Sequence, residues 1–503
     1  MECVITIDIG TSGVKIVAYD MSGNQVAFKK GTYSILYPNA NYSEQDPEQV
    51  FITVLFVLKD ILQEQIFSKN IKVTSLVFSG SMHSVLPVDI KGTPLGNAII
   101  WADNRAKKEA DYIKNSKYAS IIYQNSGTPI HPMSPLAKIA WIKNNCPEIF
   151  NKTYKFISIK EYIIYQFTNE YLIDYSMASA TGLFNIKNKT WEQKSLDLFG
   201  LNANQFSEYT SIYNSSLRLK PSIASSLGLP KKTKLIIGST DGCMATIGSG
   251  VYGNGQATIS IGHTGAVRVL GKEIINDAEG RFFNYVLDDS TYISGGPTNN
   301  AGIVLEWFAS NFRNQEIIYD FEDVAEELFK EATLVKSGSN GLVFLPYLLG
   351  ERAPIWNSNA RGCYFGINIK HEAKHFLRAT IEGIILEIYS IGNILKNHRK
   401  IDNLHLTGKY ASLPICAGIV ADVFGKRVLL SSEEENINKG AALIGLIEAG
   451  VFHNLEEASK NIKFQRILEP NKENNEIYKK LFKIFERLTH KLTEEFDMLE
   501  ELQ

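Results

Sequence analysis

Two stretches of this chain carry residue types suited to binding phosphate. The first is Ile7-Asp8-Ile9-Gly10-Thr11-Ser12-Gly13-Val14, and the second is Ile259-Ser260-Ile261-Gly262-His263-Thr264-Gly265-Ala266, near the middle of the 503 residues. Each has an alternating apolar strand, a Gly-x-[Ser/Thr]-Gly turn and a second apolar run. Alternation on both sides of a glycine-bounded turn predicts a β-hairpin. A Walker-type loop would instead run from strand into helix. Successive N–H groups in such a turn form a concave anion site, to which the hydroxyls of Thr11, Ser12 and Thr264 add donors. One such motif alone is as readily an ordinary hairpin. Its repetition half a chain apart points to two phosphate loops facing one another.

Three further carboxylates and cations bear on that reading. Asp8 precedes the first loop, where it would repel phosphate unless a cation lay between them. That predicts Mg²⁺ held through water, as hard cations prefer. Ser260 occupies the matching place in the second copy, so one half alone carries the metal carboxylate. Lys15 either reaches phosphate or is an exposed hairpin lysine. Asp241 follows the apolar strand 235–237. It is either a helix cap or a carboxylate that a rigid strand presents as general base to a hydroxyl.

A polar cluster follows the strand 73–79, in Gly80-Ser81-Met82-His83 and in Trp101-Ala102-Asp103-Asn104-Arg105. Ligands of α/β proteins bind after strand ends. Met82 and Trp101 would floor a sugar site, with His83, Asp103 and Arg105 hydrogen-bonding to it. The plainer alternative makes His83 a satisfied core histidine and Arg105 a salt-bridged helix start. Later, the strand 404–406 runs into Thr407-Gly408-Lys409-Tyr410-Ala411-Ser412, a strand, glycine turn and helix that would suit a nucleotide.

Residues 3–9, 14–20 and 25–29 form an antiparallel meander. Asp46-Pro47 starts an amphipathic helix over 48–65. Pro135 starts a helix to Lys143, residues 372–398 form a long helix, and 440–450 form a small-residue helix suited to close packing. Ile477, Leu481, Ile484, Leu488 and Leu492 stripe a terminal helix, a face for packing or for a partner.

The length predicts two large domains. With 44% apolar and 21% charged residues and a net charge of −2, the chain offers no basic field for nucleic acid. Any anion must be bound by local groups. The five cysteines, Cys3, Cys146, Cys243, Cys363 and Cys416, lack metal-type spacing, which predicts a reduced, intracellular protein. The start has no basic n-region, and no run approaches the roughly 18 apolar residues of a membrane span. A soluble cytoplasmic protein is expected, with homodimerisation left open.

Taken together, these residues resemble a known family, the FGGY carbohydrate kinases. The resemblance runs from residue 3 to about 450. It rests on Asp8-Ile9-Gly10-Thr11-Ser12, Glu44-Gln45-Asp46-Pro47, Met82-His83, Trp101-Ala102-Asp103-Asn104-Arg105, Asp241-Gly242, residues 262–265, 341–354 (GLVFLPYLLGERAP) and Gly440-Ala441-Ala442. Residues 127–141, 156–162 and 174–184 look most like gluconate kinases.

The resemblance implies an α/β, duplicated ribonuclease-H-like (actin-like ATPase) fold, with two domains around a central cleft. The implied division is 1–248, 249–455 and a helical extension over 456–503. The implied activity is ATP-dependent phosphoryl transfer to a terminal hydroxyl of a small sugar acid or sugar, with ATP and Mg²⁺ as cofactors. Asp241 would match the family's general base, with Met82, His83, Trp101 and Asp103 in the sugar region and Asn299 a further substrate contact. Gly10, Thr11, Ser12, Lys15, Gly262, His263 and Thr264 would serve the phosphates, and Gly408, Lys409 and Ala411 the adenosine turn.

Two positions depart from the family's pattern: His263 stands where the second loop usually has Thr, and Lys409 where the turn usually has a second glycine. D-Gluconate is the expected acceptor, with a pentulose or alditol kinase as the alternative. Its carboxylate calls for a local cation or a cluster of backbone N–H groups. Arg105, Lys138 and Lys160 are the candidate cations. A non-catalytic, actin-like nucleotide switch would need neither an acceptor site nor Asp241.

Overall fold

The computed structural model describes residues 1–312, 329–432, 435–500 and 502. Residues 313–328, 433, 434, 501 and 503, which fall in the expected 249–455 and 456–503 stretches, lie outside the described residues. The chain groups into two compact units. The first comprises Met1–Tyr252, Gly271–Ser294 and Glu435–Ile462, and the second Gly253–Leu270, Gly295–Glu434 and Lys463–Gln503.

The first unit is built on a five-stranded sheet in the order Lys234–Thr240, Lys72–Gly80, Glu2–Ile9, Gly13–Asp20, Gln25–Thr32. The expected meander is present and antiparallel, its last strand ending at Thr32 rather than 29. Lys72–Gly80 runs parallel to Glu2–Ile9, and Lys234–Thr240 parallel to Lys72–Gly80. Glu2–Ile9 is buried at every position after Glu2, as a strand covered on both faces must be.

Helices cover those two faces. Cys3, Ile5, Ile7 and Ile9 share one apolar cluster with Val50, Val54, Leu58 and Ile61 of helix Pro47–Ile61. Asp46 starts that helix by accepting from the N–H groups of Glu48 and Gln49. The run expected to reach residue 65 as one helix passes instead into a π turn at Leu62–Ile66. On the other face, Val17 and Tyr19 meet Ala442 of helix Asn436–Glu448.

This is the expected small-residue helix, and its glycines let it lie close. A Cβ on Gly445 would come within 2.4 Å of Val4, and one on Gly440 within 2.0 Å of the Met244 carbonyl oxygen. Gly248 is equally tight, a Cβ there lying 1.8 Å from the Asn436 oxygen. Helices Asp241–Gly248 and Asn436–Glu448 therefore touch backbone to backbone.

The second unit repeats the plan. Gly255–Ile261 and Gly265–Gly271 form an antiparallel hairpin, and Ile401–Thr407 and Arg427–Ser431 follow in parallel on its other side. The strand Tyr292–Thr298, on which the boundary of the unit falls, flanks Gly265–Gly271, and Phe464–Leu468 lies beyond Arg427–Ser431. Within the seven-stranded second sheet, the neighbours Tyr292–Thr298, Gly265–Gly271, Gly255–Ile261, Ile401–Thr407 and Arg427–Ser431 repeat the first sheet's order by chain position (third, second, first, fourth, fifth), so each glycine hairpin starts from a central strand. Helix Ala373–Leu395 lies against this unit's strand Val343–Leu345, where a Cβ on Gly383 would come within 2.4 Å of the Phe344 oxygen.

The terminal helix Lys472–Lys491 corrects the sequence reading. Ile477 and Ile484 are 41% and 43% exposed, and the buried positions are Tyr478, Leu481, Phe482, Phe485 and Thr489. Aromatic residues decide the register because they bury more area than aliphatic ones. The Tyr478 phenol donates to Glu382 at 2.8 Å and accepts from Arg378 at 2.9 Å. Phe482 packs on Tyr389 and Phe485 on Tyr347. All five cysteines are free. Among the described residues, no helix is long and apolar enough to cross a membrane.

Candidate functional site

In the first unit, the Ile9–Val14 pairing closes the hairpin around Gly10, Thr11 and Ser12. The Gly10 N–H donates to the Gly13 oxygen at 2.9 Å. The carbonyls of the loop are tied from behind: the Tyr33 phenol donates to Gly10 O at 2.7 Å and Gly13 O at 3.0 Å, and Gln45 Nε2 donates to Thr11 O at 2.7 Å. Sequence reasoning missed this bracing. The Glu44-Gln45-Asp46-Pro47 motif was the available signal for Gln45, and nothing marked Tyr33. Trp101 joins the loop directly, its indole N–H donating to Thr11 Oγ1 at 2.9 Å.

Asp8 lies on the strand feeding this loop and is 5% exposed. Its Oδ1 has no hydrogen-bond partner. Burial, and then the neighbouring charge of Asp241, push its carboxyl up to about 7, with Lys15 opposing and Glu435 reinforcing the rise. Lys15 pairs with Glu435 at 2.8 Å and is 46% exposed. A buried carboxylate oxygen with no donor fits a hard cation. No cluster of three His, Cys, Asp or Glu side chains able to hold a metal occurs among the described residues. Magnesium ordinarily keeps most of its water and takes one or two carboxylates with substrate phosphates, so the single Asp8 is compatible with that ion.

Asp241 is the first residue of helix Asp241–Gly248, and Thr240 occupies the cap position. The Asp241 carboxylate accepts the Gly242 N–H at 2.7 Å. The strand before it breaks register with Lys72–Gly80 between Ile236 and Ser239. Gly238 makes that break, at φ +65° and with room for no side chain, since a Cβ would lie 1.9 Å from the Phe78 oxygen. Such bulges re-aim the residues that follow. The end of the strand is then fixed by Ser176 Oγ, 2.6 Å from Ser239 Oγ and accepting from the Thr240 N–H at 3.0 Å.

The sugar-region residues are anchored to the same strand ends. The Ser81 N–H donates to the Ile9 oxygen at 2.9 Å, and Met82 and His83 follow, both buried. His83 sits at φ +68°, with Nδ1 2.8 Å from the Ala180 oxygen and Nε2 3.4 Å from the Tyr285 hydroxyl. Asp103 is fully buried. It accepts from the Ser43 N–H at 2.6 Å and from Arg105 Nη2 at 2.7 Å. Arg105 also meets Glu44 at 2.6 Å and stacks 3.8 Å over the Tyr42 ring.

The three candidate cations are all engaged elsewhere. Arg105 is bound as just described. Lys138 is fully buried and donates to the carbonyls of His83 at 2.6 Å and Ile100 at 2.7 Å, with burial lowering its amine to about 7. Lys160 pairs with buried Asp174 at 2.8 Å and reaches Ser239 O at 3.2 Å. None is the surface charge that the sequence left open.

In the second unit, the Gly262 N–H donates to Thr264 O at 3.0 Å. The N–H groups of Gly302 and Ile303, at the start of helix Gly302–Phe312, take the carbonyls of Gly262 and His263 at 2.9 and 3.2 Å. Gly408 has φ +101°, and a Cβ there would lie 2.5 Å from the Ile261 oxygen, so the adenosine-turn candidate abuts the loop. The Ala411 N–H donates to Gly408 O at 3.0 Å, closing the turn that carries Lys409. Asn299 is held by its backbone N–H to Glu351 at 2.8 Å and by its side chain to Leu349 O at 3.1 Å. The structure thus joins Gly10, Thr11, Ser12, Asp8, Lys15, Trp101 and Asp241 in the first unit. It joins Gly262, His263, Thr264, Gly408, Lys409 and Ala411 in the second, and ties Asn299 to the segment of Glu351.

Two α/β units that share this five-strand order, each ending a central strand in a glycine hairpin, define the two-domain actin-like ATPase, ribonuclease-H-like fold. The models for the N-terminal and C-terminal domains of the FGGY family of carbohydrate kinases match residues 3–248 and 257–449. The chain belongs to the FGGY family of carbohydrate kinases and is a phosphotransferase. It is 34% identical to the gluconokinase of Bacillus subtilis (strain 168), over 99% of this chain and 98% of that protein. The structure of gluconate kinase from Lactobacillus acidophilus is similar at a TM-score of 0.93 and 31% identity, covering 99% of both chains. That of ligand-bound xylulose kinase from the same species is similar at 0.94 and 30%, covering 99% of this chain and 100% of that one.

Proposed function

We propose that this chain transfers the γ-phosphoryl group of ATP to the terminal hydroxyl of D-gluconate, giving 6-phospho-D-gluconate and ADP. The observation that carries the chemistry is the delivery of Asp241 by a bulged strand end on the sheet that also carries Asp8 and the first glycine loop. Phosphoryl transfer needs positioning and charge neutralisation more than covalent chemistry. Asp241 takes the proton of the acceptor hydroxyl as the bond from that oxygen to phosphorus forms and the bond from phosphorus to the leaving ADP oxygen breaks. Gly10, Thr11 and Ser12, with Gly262, His263 and Thr264, offer N–H and hydroxyl donors to the phosphates. The turn of Gly408, Lys409 and Ala411 receives the adenosine end. Asp8 would hold Mg²⁺ through water, and that ion would supply neutralising charge for the phosphates.

In the acceptor site, Met82 and Trp101 give apolar surface and His83 hydrogen-bonding capacity, with Asn299 as a further contact. The bonds of Asp103 to Arg105 and Ser43 suit it to shaping the Trp101 segment. The choice of gluconate rests on likeness to gluconokinases along the whole chain. With Arg105, Lys138 and Lys160 all engaged, this reading assigns the substrate carboxylate to backbone N–H groups. The full-length likeness to a xylulose kinase favours a pentulose as the second reading. The test is ADP release with ATP alone and with D-gluconate added. Release that depends on the acceptor supports the proposal, and release indifferent to it refutes it.

A further inference from the structure

The second glycine loop lacks a hydroxyl at His263, and the adenosine turn carries a cation at Lys409. In the second unit these two features meet on one carboxylate. His263 Nε2 lies 3.2 Å from Glu306 Oε1. The Tyr410 phenol donates to the same oxygen, and its ring stands edge-on to the imidazole with centroids 6.3 Å apart. Lys409 acts electrostatically on both His263 and Glu306.

The support is rigid. Glu306 lies on helix Gly302–Phe312, whose first N–H groups take the carbonyls of Gly262 and His263. A Cβ on Gly302 would lie 1.9 Å from the Tyr410 ring, so helix, hairpin and turn are locked together. Yet the His263 side chain is 69% exposed, against 24% for Glu306. The imidazole is gripped on one side and open on the other.

We propose that the His263 imidazolium, oriented by Glu306, is a nucleotide-phosphate contact replacing the absent hydroxyl, so that this chain binds nucleotide in a pH-dependent way. The inference rests on reading residues 262–264 as a phosphate loop. A hydroxyl gives a neutral hydrogen bond at any pH. An imidazolium gives a charge-assisted one, roughly twice as strong, and only while protonated.

The groups facing His263 are Glu306 on the helix and Lys409 and Tyr410 on the turn. Glu306 raises the His263 pKa above its ordinary 6.5, burial and Lys409 oppose, and the net direction is upward. Burial and Glu306 push the Tyr410 phenol upward as well, so it stays neutral. The contact is therefore present at low pH and lost as pH rises through the raised histidine pKa.

The experiment measures the ADP dissociation constant from mildly acidic to mildly alkaline pH for the full chain, His263→Thr and Glu306→Gln. NMR of the imidazole C–H groups follows the same titration. Free ADP titrates identically in all three experiments, so the difference between profiles isolates what the side chain adds in the bound state. Relative to His263→Thr, the parent protein should lose about 5-fold in affinity as pH rises. In Glu306→Gln the midpoint should fall back towards about 6.5. Parallel profiles for parent and His263→Thr, with ADP bound by both, overturn this inference alone. If no protein binds ADP at any pH, the loop reading falls and this inference with it.

Discussion

Asp8 pairs across the sheet with Ser79, and Ser79 with Ser239, so two strand spacings, about 10 Å, separate Asp8 from the strand end that delivers Asp241. The two carboxylates repel, which is part of why Asp8 is held high. At that separation one can serve phosphate charge while the other serves a hydroxyl. Changing Asp241 to Asn keeps the shape and removes the base. Turnover should fall roughly 10²–10⁴-fold with sugar binding largely kept. Near-normal turnover would reduce Asp241 to a helix-starting residue.

Asp8→Asn separates the metal role from the fold. The variant should need more Mg²⁺ to reach its own, lower maximal rate, while nucleotide without metal binds about as before. Titrations of rate against Mg²⁺ that superimpose for the two proteins would remove Asp8 from the metal site.

Gly440→Ala tests the helix contact in the first unit. The added methyl would sit 2.0 Å from the Met244 carbonyl oxygen, a backbone atom that cannot swing away. Overpacking of this kind costs about 1–3 kcal/mol. Denaturant unfolding should show that loss, whereas Gly418→Ala, at a helical site with nothing within 4 Å, should not.

Lys138 gives a pH dependence of stability. Its amine falls to about 7 on burial, well below the unfolded value of about 10.4, and a neutral amine still has the two N–H groups that its two carbonyl partners require. Between those pH values the unfolded chain binds the extra proton, so stability from this group rises as pH climbs from about 7 towards 10. Lys138→Met should flatten that rise. An unchanged slope in the variant would mean the buried amine stays charged.

Much of this was legible in the sequence for reasons of period and chemistry. Alternation about paired glycines forecast both hairpins, a cap-then-proline pair forecast the start of helix Pro47–Ile61, and the Gly-Ala-Ala run forecast close packing. Burial of single polar residues was not legible. A lysine such as Lys138 or Lys160 reads as a surface charge until the fold closes over it. Glu306 carried no motif, being one acid in an apolar helix, and gained its meaning only from His263 and Tyr410 at long range. In the terminal helix, aliphatic spacing suggested Ile477 and Ile484, but tertiary contacts with Glu382, Arg378 and Tyr389 selected Tyr478 and Phe482. The return of Glu435–Ile462 to the first unit is likewise a matter of contact, not of local pattern.

The most direct test of the account is the acceptor panel, in which kcat/KM is measured by coupled ADP release for D-gluconate, D-xylulose, D-ribulose and glycerol. A site arranged to pair a carboxylate leaves buried polar groups unmatched by a neutral sugar, and such mismatches discriminate strongly. D-Gluconate should have the highest kcat/KM, with phosphate attached at its terminal hydroxyl. A higher value for D-xylulose or another neutral acceptor would contradict the gluconate assignment and leave the chain a carbohydrate kinase of different specificity.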